Sequence, residues 1–188
     1  MTLAASVDWS TLPAPVDDGG ANHLPGVRLP SVALHATNGT FVNLALLKGK
    51  TVVYAYPRTG EPGVPVPPEW DMIPGARGCT PQSCAFRDYF ADLKALGVDH
   101  LFGLSTQDTA YQCEVVERLH LPFPLLSDER LTLTRALDLP TFETSGMVLL
   151  KRLTMVIQDG VIEHVFYPVF PPDRNAADVV AWLQANRA

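Results

Sequence analysis

Arg77-Gly78-Cys79-Thr80-Pro81-Gln82-Ser83-Cys84-Ala85-Phe86-Arg87-Asp88 holds two of the three cysteines of a 188-residue chain, five positions apart. The stretch reads as the start of a helix. Thr80 suits a cap, Pro81 suits a first turn, and Gln82 falls within that turn. Ala85, Phe86, Tyr89, Phe90, Leu93 and Leu96 then recur at helical spacing. This predicts one helix from Thr80 to Leu96, with an apolar stripe laid on a sheet. Cys79 falls just before its first turn, where unpaired N–H groups and the positive end of the dipole favour negative charge. The thiolate is the nucleophilic form of cysteine, so a reactive cysteine belongs there. The plainer alternative is two ordinary cysteines on a helix face.

Upstream, Thr51-Val52-Val53-Tyr54-Ala55-Tyr56 is a short, mostly apolar run ending at Pro57, the pattern of a central strand buried on both faces. Between it and Cys79, residues 58–78 carry five prolines and exclude regular structure. A loop of that length in a compact domain is functional or a lid, unless it is a tolerated surface insertion. Earlier still, Asn38-Gly39 between two apolar runs predicts a hairpin. Residues 1–27, rich in Ala, Pro, Gly and Asp, read as an extension that Trp9 and Leu12 anchor, leaving one domain over 28–188.

Downstream, residues 98–105 predict a second buried strand. Asp108 caps a helix running to about His120 that carries Cys113, and a short helix follows around residues 131–137. One or two strands lie within 147–157. Asp159-Gly160 predicts another hairpin turn, and a last helix opens near Asp173 or Asn175. Strands alternating with helices call for an α/β domain: a central mixed sheet flanked by helices, with an N-terminal hairpin.

The net charge of −6 argues against nucleic acid or an anionic membrane as partner. No apolar run is long enough to span a bilayer, and the first eight residues lack a basic segment followed by an apolar one. Three cysteines do not make a disulfide scaffold, so a reducing, cytoplasmic setting is expected, where a close cysteine pair is catalytic or metal-binding.

These elements, with a cysteine opening the first long helix, resemble a thioredoxin-like fold and, more narrowly, a peroxiredoxin of the peroxiredoxin Q or bacterioferritin-comigratory type. The resemblance runs from about Pro30 to Leu183. It rests on residues 46–57, on Gly78-Cys79-Thr80 through Cys84-Ala85-Phe86-Arg87-Asp88, on residues 102–108 and 121–128, and on 151–157. It implies Cys79 as peroxidatic cysteine, Cys84 as resolving cysteine and Arg152 as the arginine beside the sulfur. Arg152 read alone is a strand surface charge, but its apolar neighbourhood argues for a specific partner. Two departures stand out. The family's proline and threonine before the cysteine are replaced by Met72 and Ala76, leaving Thr59 to supply the hydroxyl by folding back. Gln82 stands where glutamate is common.

The resemblance implies a thiol peroxidase acting on hydrogen peroxide or organic hydroperoxides. A Cys79 sulfenic acid would be resolved as a Cys79–Cys84 disulfide and recycled by a thioredoxin- or glutaredoxin-like dithiol. It implies no cofactor or metal, and a monomer or weak homodimer. The alternatives are a copper metallochaperone on the same fold, using both cysteines with His100, His120 or His164, and a non-catalytic redox-sensing domain. A zinc site lacks a second close ligand pair, and a dithiol reductase lacks Cys-x-x-Cys.

Overall fold

β3 (Lys50–Ala55) lies inside a seven-stranded mixed sheet of the computed structural model, which describes residues 7–187. The first six residues of the expected extension, and most of the stretch read for a leader, lie outside the described residues. β3 pairs in parallel with β4 (Val98–Ser105) and antiparallel with β8 (Leu153–Gln158). Outward from β4 come β5 (Leu125–Ser127), β1 (Ala33–Ala36) and β2 (Phe41–Asn43); outward from β8 comes β9 (Val161–Phe166). Both expected hairpins form. Gly39 has φ +82°, and Asp159 and Gly160 have φ +49° and +78°. At Gly160 a Cβ would come within 2.6 Å of the Ala45 carbonyl, so only glycine fits.

Successive side chains of a strand point to opposite faces, and each face here has its own core. Val52, Tyr54 and Tyr56 join one cluster with α1 (Cys79–Asp88), α2 (Phe90–Ala95), α3 (Thr109–Leu119) and α5 (Asn175–Ala185), through Phe86, Leu93, Val115 and Val179. Val53 and Ala55 join the other, with Leu24 and with Leu133 of α4 (Thr132–Ala136). Burying side chains of the size of Phe86 or Leu93 contributes about 1.5–3 kcal/mol each. The α/β architecture with helices on both faces of a mixed sheet is therefore the one expected.

Four details differ from the sequence reading. The helix expected from Thr80 to Leu96 starts one residue earlier and is divided at Tyr89 (φ −89°, ψ 6°) into α1 and α2. Across the break Tyr89 N still donates to Ala85 O and Leu93 N to Tyr89 O. Residues 147–157 are not continuous: β7 (Met147–Leu150) pairs with the unanticipated β6 (Thr141–Thr144) in a separate sheet, and the chain passes through Lys151 and Arg152 before entering β8. Arg152 thus sits at the joint between two sheets rather than within a strand. The 58–78 loop contains a 3-10 turn, Trp70–Met72, and has a small core of its own, with Trp70 and Ala76 buried against Leu149. Lastly, Ala21 and Leu24 of the extension are core residues, and the chain around Val27 and Leu29 bonds to Gly160 and Ile162.

Candidate active site

Cys79 is the first residue of α1 and is only 3% exposed. The cap is Gly78 rather than Thr80. Gly78 adopts φ +111°, and a Cβ there would lie 2.6 Å from Pro172 and 2.8 Å from the Trp9 ring. Both the backbone angle and the contact demand glycine, which is why the helix can begin at Cys79 itself. Trp9 is held in that place by a 2.8 Å hydrogen bond from its Nε1 to Asp173 and an edge contact with Phe170, so it anchors the extension beside the helix start.

Arg152, 4% exposed, reaches Cys79 from the joint before β8. Its Nη2 donates to the Cys79 sulfur at 3.3 Å and to the carbonyls of Gly75, Ala76 and Arg77 at 3.2–3.3 Å. Its Nη1 donates to Gln82 Oε1. Gln82 Nε2 in turn donates to Asn175 Oδ1 at 2.9 Å, which also accepts from Thr154 Oγ1 at 2.6 Å. Two donors on Asn175 Oδ1 fix the turn of the Gln82 amide, so that its oxygen faces the arginine. Gln82 therefore does the holding that a carboxylate would do, without adding a negative charge. Sequence reasoning placed Arg152 and remarked on Gln82, but missed Thr154 and Asn175. Neither carries a local signal, since the chain brings them in from 75 and 96 residues beyond Cys79.

Above the sulfur is a cavity of about 310 Å³ lined by Thr59, Val66, Trp70, Arg77, Cys79 and Pro81, among others. The proline-rich loop thus forms part of the wall over Cys79. Thr59 lines the cavity. Its hydroxyl is engaged with Gln107 Oε1 at 3.3 Å, and its backbone is held by Gln107 and Tyr111. Because Trp70 shares the cavity with Cys79, oxidation of the sulfur is expected to change tryptophan fluorescence, and Trp70→Phe to remove most of that change. Full retention of the signal would show that Trp70 does not report on the site.

Cys84 is half-buried on the same helix, and all three cysteines are free thiols. Burial pushes its thiol above the usual range, with Arg87 opposing. Only the thiolate attacks, so a raised pKa leaves less attacking form at neutral pH. The step that consumes the Cys84 thiol is expected to accelerate with rising pH until the thiol is ionised. A stopped-flow profile flat from neutral to alkaline pH would contradict this.

The copper alternative finds no third ligand: among the described residues no group of three or more His, Cys, Asp and Glu side chains could hold a metal ion. His100 lies beside Phe102, His164 stacks on Trp182, and His120 is an exposed helix cap. No helix among the described residues is long and apolar enough to cross a membrane.

A buried cysteine at a helix start, in contact with an arginine from the segment before β8 of a mixed sheet, is the arrangement of a thioredoxin-like thiol protein. The family model described as Redoxin matches residues 24–181, and the chain belongs to that family. Among curated proteins it is similar to the chloroplastic peroxiredoxin Q of Oryza sativa subsp. japonica, 29% identical over 161 residues, 85% of this chain and 66% of that protein. The chain thus spans just under two thirds of the length of such relatives. Among solved structures it is similar to peroxidoxin BcpB of Mycobacterium tuberculosis, with 26% identity and TM-score 0.70, covering 88% of this chain and all of that one. Peroxiredoxin Q of Xanthomonas campestris, at 22% identity and TM-score 0.67, covers 85% of this chain and 96% of its own and shares the fold.

Proposed function

We propose that this protein is a thiol-dependent peroxidase with Cys79 as nucleophile. The observation that carries the reading is the 3.3 Å contact from Arg152 to the Cys79 sulfur at the start of α1, beneath an open cavity. The Cys79 sulfur attacks one oxygen of the peroxide. The O–O bond breaks, a sulfenic acid forms, and the second oxygen leaves as water or alcohol. Arg152 donates to the charge that develops on the reacting oxygens. Cys84 then attacks the sulfenic sulfur, a disulfide forms and water leaves. A thioredoxin- or glutaredoxin-like dithiol restores both thiols and is itself oxidised.

The substrate class is hydrogen peroxide or an organic hydroperoxide. The kinship with peroxiredoxin Q proteins supports this reading, as does a cavity wall with both apolar and polar groups. Thr59 provides a polar edge to that wall, with its hydroxyl held by Gln107. A monomer or weak homodimer in a reducing compartment such as the cytoplasm suits a cycle confined to one chain. The test is peroxide consumption coupled to a dithiol reductant. The wild type is expected to turn over and Cys79→Ser to lose all activity above background. Continued turnover in Cys79→Ser would refute the assignment.

A further inference from the structure

A second cavity, of about 350 Å³, lies beyond the 75–79 segment from the first. Pro15 and Val16 of the extension, Ile73 and Pro74 of the loop, Phe142 of β6, and Val169 give it apolar walls. Lys151 and Arg152 also line it. The Lys151 ammonium is already paired with Asp18 at 2.6 Å, and Tyr167 donates to the same carboxylate at 2.7 Å; both hold the Asp18 carboxyl below its usual range.

Arg152 has no such partner. None of the ion pairs among the described residues includes it. Its terminal nitrogens are engaged with Gln82, three loop carbonyls and Cys79, while its buried Nε–H has no acceptor. A buried donor left unpaired is unfavourable, and an acceptor arriving there would be held. Arg152 also spans the divide between the cavities. Its Nη2 bonds Gly75, which lines the second cavity, and Arg77 and Cys79, which line the first, with fully buried Ala76 between them.

We infer that the second cavity binds a small amphipathic carboxylate, of the type of a medium-chain fatty acid. The chain lies against the apolar walls and the carboxylate accepts the Arg152 Nε–H. The volume falls in the range of about 300–1,000 Å³ usual for small-molecule sites, and apolar walls with one fixed polar group are their usual build. An anion there draws on the guanidinium and weakens its hold on charge developing at the peroxide. The bound acid therefore slows the peroxidase without entering the peroxide cavity. This effect on rate rests on the thiol peroxidase reading; the binding does not.

The test uses the full chain and octanoate, with octanol and octylamine as neutral and cationic controls. Calorimetry is expected to show one octanoate site, at least about tenfold tighter than octanol, the factor one lost charged hydrogen bond supplies. Ala14→Trp, at an exposed position lining the cavity, is expected to abolish binding, and Arg152→Met to bring octanoate down to the level of octanol. At saturation, octanoate is expected to slow Cys79 oxidation about fivefold or more. A Kd weaker than about 1 mM, equal binding of octanol, or undiminished binding to Ala14→Trp would overturn the site. Binding with an unchanged oxidation rate would overturn the inhibition. Binding by a protein that consumes no peroxide would leave the site standing and refute the function above.

Discussion

Arg152→Met is expected to slow oxidation of Cys79 by hydrogen peroxide by about two to three orders of magnitude, the usual loss when one donor aimed at developing charge is removed. The expectation follows from where the guanidinium stands. One nitrogen donates to the Cys79 sulfur, and the same nitrogen draws three successive carbonyls of residues 75–77 around itself. The charge and the shape of the segment leading into Cys79 thus depend on one side chain. Methionine matches much of the volume but leaves Gln82 Oε1 and those carbonyls without their donor. Arg152→Lys separates the two contributions. It restores a point charge but not a planar fork able to hold Gln82 and the loop together, so its rate is expected to fall between wild type and Arg152→Met. Stopped-flow rates, with thermal unfolding of each variant as the check on folding, decide the matter. A folded Arg152→Met variant that reacts at the wild-type rate would remove the arginine from the mechanism.

Cys84→Ser is expected to consume one peroxide per chain and then stop. Both cysteines lie within α1, and residues five apart in a helix have Cα atoms roughly 8–9 Å apart, pointing about 140° apart around the axis. A disulfide requires less than about 7 Å and converging Cβ vectors. The first turn of α1 must therefore open before the bond forms. Besides the helix's own ladder it is fastened by Gln82 N to Gly78 O at the cap, by the Gln82 side chain to Arg152 and Asn175, and by Ser83 Oγ accepting from Tyr54. Below them Phe86 stacks on Tyr54 at 4.3 Å and is fully buried, which marks where the opening stops. Amide exchange is expected to rise over residues 79–85 in the oxidised wild type and not in oxidised Cys84→Ser. Equal exchange in the two would mean that opening is not coupled to the disulfide.

Much of this was legible in the chain. The short apolar run of β3 and the two turns at Asn38-Gly39 and Asp159-Gly160 are local signals, and they placed the sheet. The cysteine at a helix start and the arginine within an apolar stretch placed two of the catalytic candidates. What local pattern could not show was the joint at Lys151 and Arg152. Residues 147–157 are largely apolar on both sides of Lys151 and Arg152, and only pairing with β6 on one side and β3 on the other reveals a change of sheet. The single long helix was overextended because the apolar spacing runs on through Tyr89, where only the backbone interrupts it. Asn175 and Thr154 are ordinary residues in sequence, and acquire their role only where α5 and β8 meet beneath Gln82. The proline-rich loop looked irregular, and its docking through Trp70 and Ala76 depends on the equally distant Leu149.

The central claim is that Cys79 is oxidised and that Cys84, not Cys113, resolves it. Cys113 lies on α3 with its sulfur 3.7 Å from Thr37 O. Intact mass spectrometry before and after one equivalent of hydrogen peroxide tests the claim most directly. Wild type and Cys113→Ser are expected to lose about 2 Da, Cys84→Ser to gain about 16 Da as a sulfenic acid, and Cys79→Ser to remain unchanged. A gain of about 16 Da in Cys113→Ser together with a loss of about 2 Da in Cys84→Ser would give the resolving role to Cys113 and contradict the account.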